Sequence, residues 1–214
     1  MNIIIPITEF EVINDPILEP SQFTSVKSLQ MYYNSEDINI TFVIPEDMVV
    51  GKNTKIQPYI KNAFPNSKVM IVPGIVGAPV ELVLRVAGLI NNDEELLITD
   101  CRHILSWKPE IHNKIFESLN EYDAGIVTVN SNDSNRNYLN LETGEIVIKE
   151  TVSDQALVGL HWWKSGKDFI GSASRMLQSG IRSDGQFHTS SVYNWFEGTA
   201  GYFEVSPTDV SLIK

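Results

Sequence analysis

The chain carries one cysteine, Cys101, in 214 residues. No internal disulfide is available, which excludes a stapled secreted scaffold and fits a reducing, cytoplasmic compartment. Basic residues are also scarce: 16 Lys and Arg stand against 27 Asp and Glu, a net charge of −11. A nucleic-acid groove or an anionic lipid surface is therefore not an expected partner, since both would be repelled. No apolar run approaches the ~20 residues that a membrane helix needs, so no membrane span is expected either. Met1 leads directly into Asn2–Pro6 without a basic segment, and no signal peptide is expected. Glycine is absent before Gly51. Backbone in that part of the chain cannot approach a phosphate as closely as glycine would allow.

What is present describes an ordinary globular chain, 43% hydrophobic and 20% charged, with room for one domain over 1–214. Continuous apolar runs at 2–6, 40–44, 69–72, 96–99 and 124–129 read as buried strands. Helix spacing is expected over 23–33, 54–63, 79–90 and 109–122, with a loop over 8–22. Strands alternating with helices imply a mostly parallel sheet with right-handed crossovers. Beyond it, the Asn-rich stretch 131–137 reads as a loop over a site, and 139–148 as a hairpin turned at Glu142–Glu145. A strand over 156–163, helices over 167–179 and 186–197, and a last strand over 201–205 complete the reading. The expected fold class is α/β, a three-layer α/β/α arrangement with a mixed, mostly parallel sheet.

Leu96–Thr99 is an apolar run that ends abruptly at Asp100. Ligands gather at the carboxyl ends of strands in such sheets, and a carboxylate there suits a hard divalent cation. Its other reading is a turn former. His103, His161 and His188 lack metal-ligand spacing and read as hydrogen-bonded or partly exposed histidines. Cys101 has no identifiable general base, so a nucleophilic role is not expected.

Several stretches resemble the sugar-nucleotide pyrophosphorylases and small-molecule nucleotidyltransferases, the glucose-1-phosphate thymidylyltransferase-like and choline-phosphate cytidylyltransferase-like proteins. They are Met1–Pro6, Gly74–Ala78, Asn92–Cys101 with Trp107, Val152–Gly159, and Ile181–Phe187 through Asn194. The resemblance implies a nucleotide-diphospho-sugar transferase-like fold. It also implies Mg2+ held by Asp100, a nucleotide or nucleotide sugar near Gly77 and Ala78, and a sugar phosphate facing Lys149. Such proteins serve surface-polysaccharide or nucleotide-sugar metabolism.

The chain departs from that pattern in particular places. Arg102 stands where a second carboxylate is expected, and it can pair with a phosphate but cannot ligate a metal. Gln186 stands where a Glu is usual. The family's glycine-rich loop is replaced by Ile7, Thr8, Glu9, Phe10 and Glu11. Asp100, Arg102 and Lys149 are the catalytic candidates; Gly77, Ala78 and Gln186 are the substrate-binding ones. Three readings stay open: a nucleotidyltransferase with reduced pyrophosphorylase activity, a glycosyltransferase of the related fold, and a non-catalytic binding or partner subunit. The sequence sets no oligomeric state.

Overall fold

The computed structural model describes residues 1–7, 37–50, 56–74, 76, 78–99, 104–206 and 210–213. The loop expected over 8–22 and the helix over 23–33 lie outside them, as do Gly77, Asp100, Cys101, Arg102 and His103.

Strands β1 (Asn2–Pro6), β2 (Asn39–Pro45), β3 (Lys68–Val72) and β4 (Leu96–Thr99) form a parallel block. Its order is β4-β1-β2-β3. The strand β9 (Gln155–Trp163) then runs antiparallel between β4 and β6 (Ala124–Asn130), and β10 (Ala200–Val205) pairs parallel with β6. The short hairpin strands β7 (Tyr138–Leu139) and β8 (Ile146–Val147) attach beside β9, completing a nine-stranded sheet. The five runs read as strands all lie in this one sheet, and the mixed, mostly parallel α/β/α arrangement is the observed fold.

The two-residue period of the strands divides the core. Ile3 and Ile5 face one layer with Phe42, Ile44 and Leu97, covered by α2 (Ile56–Ala63) through Ile60, by Phe64 just beyond that helix, and by α5 (Pro109–Leu119) through Ile115 and Leu119. Ile4 faces the other with Val43, Leu96, Ile98 and Trp163, covered by α3 (Pro79–Arg85) and α6 (Gly166–Ser179) through Val80, Val83, Phe169 and Met176. Buried on both faces, these strands need apolar residues at every position, which is why they read as unbroken runs. Each fully buried aliphatic side chain contributes roughly 1.5–3 kcal/mol of transfer free energy. Two further short helices among the described residues are α1 (Glu46–Val49) and α4 (Ala87–Ile90).

Two local expectations are corrected, and one pairing lies outside any expectation. The helix over 79–90 breaks at Val86, whose N–H donates to Val83 three residues back at 3.2 Å, leaving α3 and α4 as separate pieces. The helix expected over 186–197 is a shorter 3-10 segment, Ser190–Trp195. Ahead of it, Ser183 and Gln186 bridge across Asp184 and Gly185, whose φ values of 49° and 73° are those of a tight hairpin turn. Lastly, Ile104–Trp107 forms a strand, β5, paired antiparallel with β11 (Val210–Ile213) in a second sheet.

Candidate functional site

β1 ends at Pro6 and β4 at Thr99, side by side and parallel. Beside them β9 passes in the opposite sense, with Leu160 opposite Thr99 and His161 opposite Ile98. Its register against β6 jumps: Ile126 faces His161, yet Thr128 faces Leu157. Extra residues on β9 therefore bulge, and Gly159 sits there at φ 80°, a conformation that glycine adopts without strain. Leu157, Gly159 and His161 lie on one face of β9 by alternation, and Gly159 brings no side chain to that floor.

A cleft of about 120 Å³ opens over this floor. Pro6, Ile98 and Pro79 bound one side; Asn135, Arg136 and Asn137 and the segment His188, Thr189 and Ser190 bound the other. The Asn-rich stretch is locally ordered by Asp133. Its Oδ1 accepts from the Asn135 N–H at 3.0 Å, and its carbonyl accepts from the Arg136 N–H at 3.0 Å and the Tyr138 hydroxyl at 2.9 Å. Asn137 Nδ2 donates to Ser190 Oγ at 2.9 Å, tying this loop to the 3-10 segment. That segment is anchored by Tyr193, whose hydroxyl donates to the Gly125 carbonyl at 2.8 Å and whose ring stacks on Trp163 with centroids 4.8 Å apart.

The electrostatics of the lining are simple. Among the described lining residues there is no carboxylate, and Arg136 is the one permanent charge. His188 Nε2 lies 3.1 Å from the Ser183 carbonyl. Burial lowers its pKa most, Lys149 adds to that, and Ser183 and Asp184 pull the other way. At neutral pH the ring is uncharged, and Nε2 carries the proton that the carbonyl accepts.

The expected site residues fall in different places. Ala78 is buried and precedes Pro79, the first residue of α3, at the cleft edge. Asp100 follows Thr99 in the chain but lies outside the described residues with Gly77 and Arg102. Lys149 is half exposed at φ 52° and pairs with Asp184 at 2.5 Å, which holds the Asp184 carboxyl below its usual range. It is not among the cleft-lining residues. Gln186 lines a second cavity of about 220 Å³, with Met176, Phe187, Ser191 and Asn194. Sequence reading missed Arg136, Asn137, Thr189 and Ser190 as lining residues; the loop over 131–137 pointed to the first two, and the resemblance running through Asn194 spans the last two. Among the described residues, no group of three His, Cys, Asp or Glu is placed to hold a metal ion. No described helix is long and apolar enough to cross a membrane.

Comparison with known proteins gives no matching family model and no matching curated sequence. Solved structures do match. The nucleoside-diphosphate-sugar pyrophosphorylase from Vibrio cholerae superposes with a TM-score of 0.71 at 11% identity, covering 99% of this chain and 95% of that one. The 4-diphosphocytidyl-2C-methyl-D-erythritol synthase from Anaerococcus prevotii gives 0.62 at 13% identity, covering 99% and 91%. HddC from Yersinia pseudotuberculosis, solved with GMP-PN, gives 0.61 at 14% identity, covering 100% and 92%. At such identities the likeness establishes a shared nucleotidyltransferase-type fold.

Proposed function

We propose that this chain is a nucleotidyltransferase-like protein of nucleotide-sugar metabolism that holds a nucleotide or a sugar phosphate in the cleft beyond β1 and β4. One observation carries the reading: in a chain of net charge −11, the described cleft lining has a single permanent charge, and it is the cation Arg136. A negative ligand is favoured there and a positive one is not. The position agrees with the rule that ligands bind outside the carboxyl ends of strands in open α/β sheets.

If the chain is active, a phosphate oxygen of the second substrate attacks the α-phosphorus of a nucleoside triphosphate. The bond from that phosphorus to the bridging oxygen breaks in line, and pyrophosphate leaves with its electron pair. With no carboxylate among the described lining residues, Mg2+ would rest on Asp100 and the substrate's own phosphate oxygens. A bound ion would supply charge neutralisation as pyrophosphate leaves. Arg102 and Lys149 are retained as candidates for phosphate pairing, and Gly77, Ala78 and Gln186 as candidates for substrate contact.

Turnover of triphosphates is expected to be weak. Glu9 and Glu11 place negative charge after β1, where glycine is absent. The same observation favours a second reading, a glycosyltransferase of the related fold, which takes a nucleotide diphosphate sugar and needs no triphosphate loop. A thermal-shift screen of nucleoside triphosphates, nucleotide sugars and sugar phosphates, each with and without Mg2+, separates the readings by mass action. Robust Mg2+-dependent pyrophosphate release, abolished by Asp100→Ala, would establish the full transferase reaction. A shift with nucleotide sugars alone would favour the glycosyltransferase.

A further inference from the structure

The cleft holds polar groups that the folded chain leaves without partners. Arg136 Nη1 is buried and has no hydrogen-bond acceptor. Its side chain is 15% exposed, and Asp133 Oδ2 approaches only Nε, at 3.7 Å. Thr189 is 8% exposed, and its Oγ1 is likewise buried without a partner. Ser190 Oγ accepts from Asn137 Nδ2, so its own proton remains to be given. All three residues line the same cleft. A buried guanidinium donor and a buried hydroxyl without partners each forfeit stability, which folded chains offset with an ordered water, an ion or a bound ligand.

We infer that Arg136, Thr189 and Ser190 form an oxyanion subsite that binds a phosphoryl group of the cleft's ligand. The set offers donors and one positive charge, offset only from the Nε side by Asp133 at 3.7 Å, and so complements a phosphoryl group that is all acceptor. The subsite rests on the proposed function only for the choice of phosphate over carboxylate. Thr189 carries a further signature. Its hydroxyl has no partner in the folded chain, so removing it sacrifices a ligand contact and no internal bond.

Calorimetric titration of the full chain tests this with inorganic phosphate, a hexose 1-phosphate, a nucleoside triphosphate, and the unphosphorylated hexose and nucleoside. Arg136→Gln is expected to weaken the phosphorylated probe that uses the subsite by at least tenfold, leaving its unphosphorylated counterpart unchanged. Arg136→Lys, which keeps the charge and loses the fork, should recover part of that loss. Thr189→Val should weaken the same probe severalfold with a Tm equal to or above that of the parent chain. The affected probe distinguishes a sugar phosphate from a nucleotide as the source of the phosphoryl group. Phosphorylated probes that bind all variants as tightly as the parent overturn the subsite while leaving the nucleotide-handling reading intact. A fall in Tm for Thr189→Val overturns it too, since the hydroxyl would then have a structural partner. If no sugar or nucleotide probe binds but inorganic phosphate does, and Arg136→Gln abolishes it, the proposed function fails and the subsite stands. Should Arg136→Gln fail to fold, the Arg136→Lys and Thr189→Val titrations decide the matter.

Discussion

The parallel block from β3 to β4 and the mixed block from β9 to β10 meet along the β4–β9 seam, and they give the cleft different things. From the first come Pro6, Pro79 and Ile98, which are apolar walls. From the second come Asn135, Arg136, Asn137, His161, His188, Thr189 and Ser190, all the polar lining described. Both blocks bury comparable aromatic anchors: Phe42 against Phe64 at 5.2 Å in one, Trp163 against Tyr193 at 4.8 Å in the other. The difference is that Trp163 supports the 3-10 segment carrying cleft residues, whereas Phe42 faces the layer away from the cleft. Stability is thus shared across the seam, but the chemistry is concentrated on one side of it.

The largest expected effect tests that division. Trp163→Ala and Phe42→Ala should each lose about 3–5 kcal/mol in urea unfolding, as core aromatics do. Under conditions where both variants remain folded, only Trp163→Ala should also weaken ligand titration. Equal binding losses in the two would break the comparison.

A pH effect of about 2 kcal/mol, after allowance for partial solvent screening, is expected on the face opposite the cleft. His112 is 3% exposed, and burial pushes its pKa from 6.5 down to about 4. Below pH 6.5 the unfolded chain takes up the proton that the folded chain refuses. Stability is therefore fully present above that pH and lost as pH falls towards 4, and His112→Phe should flatten the urea-midpoint profile across this window.

Gly159→Val places a β-branched residue at φ 80° on the cleft floor. It should cost about 1–3 kcal/mol and abolish binding, measured by urea unfolding and titration side by side. Loss of stability with binding intact would show that the bulge does not form the floor.

The smallest stability change is expected for Lys149→Ala, whose ion pair with Asp184 is exposed on both sides. Its melting temperature should match the parent's. A fall in sugar-phosphate affinity in this variant would sharpen the comparison by adding a basic residue from the hairpin to the polar side.

The strands of the parallel block were legible because burial on both faces leaves only apolar residues along Ile3–Ile5, Phe42–Ile44 and Leu96–Ile98. The turn at Asp184 and Gly185 was legible in principle as an Asp-Gly pair. The helix expected over 186–197 was placed just after this pair, and only the 3-10 segment Ser190–Trp195 forms there. The β5–β11 pairing was not legible, since it joins Ile104 to Ile213 across half the chain and neither short run carries a sign of the other. Candidate residues chosen by motif divide the same way. Ala78 is placed by a local loop-to-helix junction, next to the cleft-lining Pro79, while the positions of Lys149 and Gln186 depend on how the hairpin and the 183–186 turn pack.

By itself the sequence determined the fold class and the strand ends beyond which the cleft opens, because hydropathy and the two-residue period act along neighbouring positions. Only the tertiary structure decided that Arg136 and Thr189 share a cleft and keep polar atoms without partners. Whether a donor is satisfied depends on every group packed around it, and those groups come from segments far apart in the chain.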